Sequence, residues 1–131
     1  MILGIGTDIA YIPRIERLHK KFGQKFSNKI LTTQEIEVIT TKSGKQLYGH
    51  IAKRFAAKEA FVKALGTGFS QNISLHDIEI FNNKMGKPYY IINQKLNDYI
   101  LHTIFNQKFI VHLSLSDEYP IALAFAIIEI L

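Results

Sequence analysis

Residues 54–68 read RFAAKEAFVKALGTG, the stretch that does most to decide the fold of this chain. Its aromatic, branched and alanine side chains leave little fully polar face, so a helix here should be packed on several sides. We predict a helix from about Gln46 to Leu65 that stops at Gly66, because glycine commonly ends helices. The charged residues of such a helix should line a cleft rather than a broad solvated face.

Shorter patterns surround this helix. Residues 2–12 are rich in isoleucine and predict a strand, in which two glycines permit close backbone packing. Pro13 suits the start of a second helix. Its predicted apolar face holds Ile15, Leu18 and Phe22, and Phe26 is a further candidate for the same face. The capping-box sequence 32–35 starts a short third helix that Ser43-Gly44 should break.

The second half of the chain is predicted to be rich in strands, with one helix. The whole chain, residues 1–131, is expected to be a single α+β domain in which an antiparallel sheet packs with helices. Its predicted elements are strands at 77–82, 88–92, 109–116 and 120–130 and a helix at 94–106.

Charge and composition narrow the functional classes. The net charge of +5 is concentrated in residues 14–29, which hold six bases and one acid, so an acidic partner is expected. The absence of cysteine excludes disulfides and thiolate metal sites. No apolar run is long enough for a membrane span, and Asp8 interrupts the N-terminal apolar stretch. We therefore expect a soluble, cytoplasmic protein that does not bind membranes.

Two carboxylates lie in segments that otherwise resemble a protein core, Asp8 in the first strand and Glu59 in the long helix. Buried charges are costly unless paired. Magnesium commonly binds one or two carboxylates, with water and substrate phosphates completing its shell. The alternative is structural, with Asp8 capping a turn and Glu59 pairing with Lys63 at i+4.

Nearby bases and glycines also have two interpretations. Arg54, Lys58 and Lys63 could bind phosphate oxygens, or their long side chains could reach solvent. Glycines around Thr67 could bring backbone N–H groups to a phosphate, or could simply end the helix. His112 lies on one face of an alternating strand with Ser114, but no nucleophile elbow accompanies them.

Two classes of function compete on these residues alone. A sequence pI of about 9.4 is compatible with a non-catalytic module that binds nucleic acid or an acidic protein. Nucleic-acid binding would require exposed aromatics among the bases, whereas Phe22 and Phe26 are predicted on the apolar face. Acids and bases embedded in apolar segments favour an enzyme.

Three blocks together resemble the holo-[acyl-carrier-protein] synthase family of 4′-phosphopantetheinyl transferases. Smaller matches at 77–79 and 86–88 fall between them, so the resemblance spans nearly the whole chain. The blocks are Gly4-Ile-Gly-Thr-Asp8-Ile with Arg14-Ile15, the stretch 54–68, and His112-Leu-Ser114 before Ile127-Ile-Glu129.

The resemblance implies transfer of 4′-phosphopantetheine from coenzyme A to a serine of an apo carrier protein, releasing adenosine 3′,5′-bisphosphate. It implies Mg²⁺ on Asp8 and Glu59, with Glu59 helping to deprotonate the serine and Lys63 stabilising developing charge. It also implies that coenzyme A is bound by a larger group that lines the same cleft: Arg54, Lys58, Lys63, Gly66, Thr67, Gly68 and His112.

The resemblance gives the basic helix a partner, the acidic acyl carrier protein of a pathway such as fatty-acid synthesis. Arg14 matches the family's docking position, while Arg17, Lys20 and Lys21 are placed there by charge and by helix face. The family further implies a homotrimer with active sites at subunit interfaces. Tyr11 and Asp117 depart from the family pattern, at positions where glutamate and histidine are common.

Overall fold

A computed structural model describes all 131 residues, with helices and strands that follow the order expected for an α+β domain. Its elements in chain order are β1 (Ile2–Tyr11), α1 (Ile12–Phe22), α2 (Gln24–Ile30), α3 (Thr33–Ile39), α4 (Gly44–Leu65), β2 (Ile78–Asn82), β3 (Pro88–Ile92), α5 (Gln94–Tyr99), β4 (Phe109–Glu118) and β5 (Ile121–Ile130).

Helix α4 lies in the centre of the fold, as its apolar composition predicts. Twelve of its 22 residues are buried, and the two bases Arg54 and Lys58 are among them. Phe61 is fully buried and its ring lies 5.2 Å from that of Tyr90 on β3. Burial of a phenylalanine contributes roughly 1.5–3 kcal/mol. The helix therefore has its apolar surface covered from more than one side.

A three-stranded antiparallel sheet in the order β1-β5-β4 covers one side of α4. Alternate residues face the helix, and on β5 these are three alanines followed by Ile128, all fully buried. The other residues form the outer face, where Ile5 and Ile9 are each 61% exposed. The outer face of the sheet is thus apolar but uncovered within one chain.

The hairpin of β2 and β3 packs elsewhere against α4. The hydroxyl of Tyr90 on β3 donates a hydrogen bond to the carbonyl of Ala57 at 2.5 Å.

No helix of the protein has both the length and the apolar character needed to cross a bilayer.

The predicted element bounds are confirmed to within a few residues, with two exceptions. The helix predicted at 94–106 is α-helical only to Tyr99 and continues as a π-helical segment over Ile100–Ile104. Residues 12–30 form two helices rather than one, because Gly23 adopts a φ of 62° and ends α1. Phe22 and Phe26 therefore lie on different helices and do not share one face. Phe22 is half exposed instead of lying on the apolar face. The predicted capping box is confirmed, since Thr32 and Glu35 bond reciprocally at the start of α3.

Candidate active site

Close packing of β1 on α4 creates the centre of the candidate site. A Cβ added at Gly4 would lie 1.9 Å from the carbonyl oxygen of Ala64, and one at Gly6 would lie 2.1 Å from that of Ala60. Only glycine permits this approach. It brings Asp8, two residues beyond Gly6 on the same face, against the helix.

Asp8 forms an ion pair with Lys63, a contact that the spacing of the sequence did not predict. Its Oδ1 lies 3.0 Å from Nζ of Lys63, whose side chain is 52% exposed. Asp8 itself is a strand residue opposite Ala124 of β5. The structural alternative is therefore wrong for Asp8, which caps no turn, and Lys63 forms its ion pair with Asp8 rather than with Glu59.

Glu59 completes this cluster of two carboxylates and one ammonium. Burial raises the pKa of Glu59, the negative charge of Asp8 raises it further, and Lys63 opposes the rise. Two mutually repelling carboxylates form a hard-oxygen donor pair that suits Mg²⁺ when substrate phosphates supply further ligands. No group of three histidine or acidic side chains occurs that could hold a metal alone. The donor set thus fits a metal shared with a phosphorylated substrate.

Lys58 has a structural role, which corrects its assignment as a coenzyme A ligand. Its side chain is fully buried and Nζ donates to Glu35 at 2.6 Å, to the carbonyl of Ile30 at 2.7 Å and to that of Leu75 at 3.0 Å. An ammonium has three hydrogens, and all three are used. Glu35 also accepts from the backbone N–H of Ile80, so this ion pair ties α2, α3 and β2 to α4.

Arg54 is separated from the carboxylates and faces the β2–β3 hairpin. It is 4% exposed, and its Nη2 donates to Oδ1 of Asn82 at 2.7 Å. Asn82 in turn donates to the carbonyl of Gly86 in the hairpin turn. Burial lowers the pKa of nearby His50 to about 3, and the positive charge of Arg54 contributes to the shift. Arg54 therefore supports the hairpin and adds positive potential there.

The turn after α4 closes the helix and does not present free donors. The N–H groups of Gly66, Thr67 and Gly68 all donate to the carbonyl of Val62, at 3.1–3.3 Å. Gly66 is left-handed, with a φ of 80°, as a glycine cap requires. A phosphate would have to draw these N–H groups away from Val62, so contact between the 66–68 turn and a phosphate stays a prediction.

His112 lies on the opposite side of the sheet from Asp8 and Glu59 within one chain. It pairs with Ile127 on β5, and both belong to the outer face, whereas Asp8 pairs with the buried Ala124. A groove of about 290 Å³ runs beside it, lined by residues including Lys87, Pro88 and Phe125. Within one chain His112 does not share a cleft with the carboxylates, so the predicted shared cleft would need a second copy of the chain.

A polar contact on this outer face was not found from the sequence. Nε2 of His112 lies 2.8 Å from Oε2 of Glu129. The sequence motif names Glu129 without a partner, yet strand alternation and a hairpin register place it beside His112. The departures from the family pattern lie elsewhere: Tyr11 is exposed at the end of β1, and Asp117 pairs with Lys53 at 3.2 Å.

The predicted docking helix presents its bases to solvent. Helix α1 buries Ile12 and Ile15, and its exposed bases are Arg14, Arg17, Lys20 and Lys21. The structure also exposes Phe22, with Nζ of Lys21 5.3 Å from its ring centre. Phe22 is thus an exposed aromatic among the bases, contrary to its predicted place on the apolar face, and is available for the stacking that nucleic-acid binding would use. Helix α1 follows directly from β1 and begins four residues after Asp8.

Comparison with known proteins gives a consistent family. The family model described as the 4′-phosphopantetheinyl transferase superfamily matches residues 4–124. The chain is similar to the holo-[acyl-carrier-protein] synthase of Wolbachia pipientis subsp. Culex pipiens, with 51% identity over 98% of each chain.

Solved structures agree with this result. The holo-[acyl-carrier-protein] synthase of Neisseria meningitidis matches with a TM-score of 0.86 and 43% identity, over 98% of this chain and 99% of that one. The synthase of Bacillus anthracis, solved in complex with CoA (3′,5′-ADP), matches with a TM-score of 0.84 and 38% identity, over 100% of this chain and 99% of that one.

Proposed function

The chain belongs to the holo-[acyl-carrier-protein] synthase family of 4′-phosphopantetheinyl transferases, and from that membership we propose its reaction. It transfers 4′-phosphopantetheine from coenzyme A to a serine of an apo acyl carrier protein and releases adenosine 3′,5′-bisphosphate. The observation that carries this proposal is the convergence of Asp8, Glu59 and Lys63, which the family motifs single out, at one junction of β1 and α4.

Each member of this cluster has a chemical task. Asp8 and Glu59 would hold Mg²⁺, which when bound neutralises pyrophosphate charge and orients it for in-line attack. Glu59 accepts the proton of the carrier serine, directly or through water, and its raised pKa favours that role. The Lys63 ammonium, more than half exposed, can turn from Asp8 to the transferred phosphoryl group or the leaving group.

The other residues predicted to bind coenzyme A differ in how directly they can contact it. Lys58 is fully buried and does not support direct binding. The 66–68 turn stays a predicted contact, although its N–H groups are bonded to the carbonyl of Val62 in this structure. Arg54 acts through Asn82 on the hairpin that carries Lys87 to the groove. His112 is the member of the predicted set that contacts the groove itself.

The acidic carrier protein would dock on the exposed bases of α1. Carrier proteins of this family are acidic, so opposite charges steer the encounter and orient the partner. Because α1 begins three residues after Ile9 on β1, a carrier bound there would place its serine near Asp8. Fatty-acid synthesis in the cytoplasm is the pathway and compartment that we propose. Family membership favours this enzyme over a non-catalytic binding module.

A homotrimer with interface sites would explain the division of the site between two faces of the sheet. The outer face carries exposed apolar side chains of β1 and β5, and such patches usually mark interaction sites. If a neighbouring copy covers this face, its Asp8, Glu59 and Lys63 can approach the groove of His112. The exposed face and the placement of His112 both support this assembly.

Intact-mass spectrometry tests the reaction directly. The protein is incubated with an apo acyl carrier protein, coenzyme A and magnesium, with EDTA in a parallel sample. We expect the carrier to gain one phosphopantetheine, and EDTA to prevent the gain. No gain with carriers from several pathways, from a protein shown to be folded, would overturn the proposed reaction.

Complementation between subunits tests the composite site. Glu59→Gln and His112→Ala chains are each prepared, then mixed after dissociation and reassembly. If a site takes Glu59 from one chain and His112 from another, mixed trimers contain some intact sites and regain activity above both parents. Activity that stays at the level of the parents, in assemblies shown to be mixed, would contradict interface sites.

A further inference from the structure

The His112–Glu129 pair joins two adjacent strands on the outer face of the sheet. Ile110 is the register partner of Glu129, and His112 is the partner of Ile127, so the pair is a diagonal one across β4 and β5. Such neighbours are within reach of long side chains. Nε2 of His112 lies 2.8 Å from Oε2 of Glu129, and this is the one hydrogen bond of the imidazole.

Stability of the single chain does not explain this contact. The His112 side chain is 47% exposed and that of Glu129 is 43% exposed. An exposed pair of this kind contributes about 0–1 kcal/mol to folding. The pair does lie at the groove that Lys87, Pro88 and Phe125 help to line. Its position at a groove, rather than its energy, is the feature that needs an explanation.

We infer that Glu129 is a positioning residue for His112, which it orients by accepting a hydrogen bond from Nε2. This inference rests on the proposed function, in which His112 contacts coenzyme A. An ionised carboxylate can only accept hydrogen bonds, so the contact requires a proton on Nε2. In a neutral ring, a proton on Nε2 leaves Nδ1 as a hydrogen-bond acceptor. Nδ1 is therefore the ring nitrogen left to meet the ligand.

A spectroscopic measurement tests the local geometry without any turnover. Long-range ¹H–¹⁵N spectra of the full-length protein report which nitrogen of the neutral His112 ring carries the proton. We expect the Nε2–H tautomer in the wild-type protein and a mixture of tautomers in Glu129→Ala. A wild-type ring with the proton on Nδ1, or a tautomer unchanged in Glu129→Ala, would overturn the inference.

A double-mutant cycle tests whether the contact acts on coenzyme A. Calorimetry measures coenzyme A affinity for the wild type, Glu129→Ala, His112→Ala and the double variant. We expect Glu129→Ala to weaken binding by about 3- to 10-fold, the value of one hydrogen-bonding contact. In the His112→Ala background the same change should have no further effect, because residues that act through one another are not additive.

Two variants separate positioning from general damage. Glu118→Ala removes an exposed acid from the far end of β4, outside the groove, and should leave coenzyme A affinity unchanged. Glu129→Gln retains an acceptor oxygen and should recover part of the lost affinity. An equal loss in Glu118→Ala, or a Glu129→Ala effect that persists without His112, would show that Glu129 does not act through the imidazole.

The same measurements distinguish failure of the proposed function from failure of the positioning role. A folded wild-type protein that neither binds coenzyme A nor modifies any carrier would overturn the proposed function, and with it a role for Glu129 in that reaction. Normal binding and transfer by the wild type, with additive effects of the two substitutions, would overturn the positioning role alone.

Discussion

Asp8 and Lys63 are 55 positions apart in the sequence, yet Oδ1 of one lies 3.0 Å from Nζ of the other. Asp8 is the less accessible partner, with 15% of its side chain exposed against 52% for Lys63. The ammonium therefore occupies one side of a carboxylate that we propose as a metal ligand. Lys63 and Mg²⁺ should compete for Asp8 until substrate phosphates draw the lysine away.

Lys63→Met tests this competition because methionine retains the apolar stem without the charge. We expect Mg²⁺ to bind the free enzyme more tightly, since the competing ammonium is absent. Turnover should nevertheless fall by about 10²- to 10³-fold, because stabilisation of developing charge is lost. Calorimetric Mg²⁺ titration and the mass-based transfer assay measure the two effects. Weaker Mg²⁺ binding or unchanged turnover would contradict the assignment.

Glu59→Gln should abolish metal-dependent transfer with little effect on folding. Burial and the charge of Asp8 both disfavour ionised Glu59, so a neutral amide should leave Tm unchanged or raise it. Thermal unfolding and the transfer assay separate stability from activity. The matched control is Glu37→Gln on exposed α3, which should behave as the wild type. Near-normal activity of Glu59→Gln would remove this residue from the mechanism.

Arg14→Glu should weaken carrier recognition selectively. Reversing the charge on α1 places like charges against the acidic carrier, and we expect its KM to rise by at least about 10-fold. Coenzyme A affinity should be largely unchanged. Lys108→Glu makes the same charge change at an exposed position outside the docking helix and serves as the control. A collapse of coenzyme A binding in Arg14→Glu would show that the docking face is assigned incorrectly.

Gly6→Ala should separate β1 from α4. Its added Cβ would lie 2.1 Å from the backbone oxygen of Ala60, so one element must shift. We expect a cost of about 1–3 kcal/mol in unfolding free energy and a larger loss of turnover, because Asp8 moves with the strand. Denaturant unfolding and the transfer assay measure both.

Gly49→Ala is the control for this substitution. Its Cβ would meet only Cδ1 of Ile12, at an ordinary 3.9 Å, in the interior of α4. We expect it to stabilise the protein by about 0.5–1 kcal/mol, since alanine loses less backbone entropy than glycine. If both glycine variants gave the same outcome, close strand–helix contact would not be what Gly6 provides.

Lys58→Met tests the reassignment of this residue to the core. The substitution leaves the carboxylate of Glu35 buried without its partner, which should cost about 3–5 kcal/mol. Coenzyme A affinity per folded molecule should be unchanged. Lys53→Met on the same helix breaks only the partly exposed pair with Asp117 and should cost about 1 kcal/mol or less. A specific loss of coenzyme A binding in Lys58→Met, with normal stability, would restore the ligand role.

Several features of the fold followed from the sequence because they depend on few neighbouring residues. The central helix up to Gly66, the capping box at Thr32 and the close approach at Gly6 were all predicted and are confirmed. Family motifs also named Asp8, Glu59 and Lys63, which the structure brings together. The catalytic roles of these three residues remain predictions.

Tertiary structure alone decided which charged and polar groups are free to act. Lys58 and Lys63 lie on one helix, yet Lys58 is used by partners from three other segments while Lys63 is largely exposed. The face of the sheet that carries His112 likewise depends on the register of β4 with β5. Periodicity and capping act over a few residues and can be read from sequence. Burial and hydrogen-bond partners depend on elements that meet only in the folded chain.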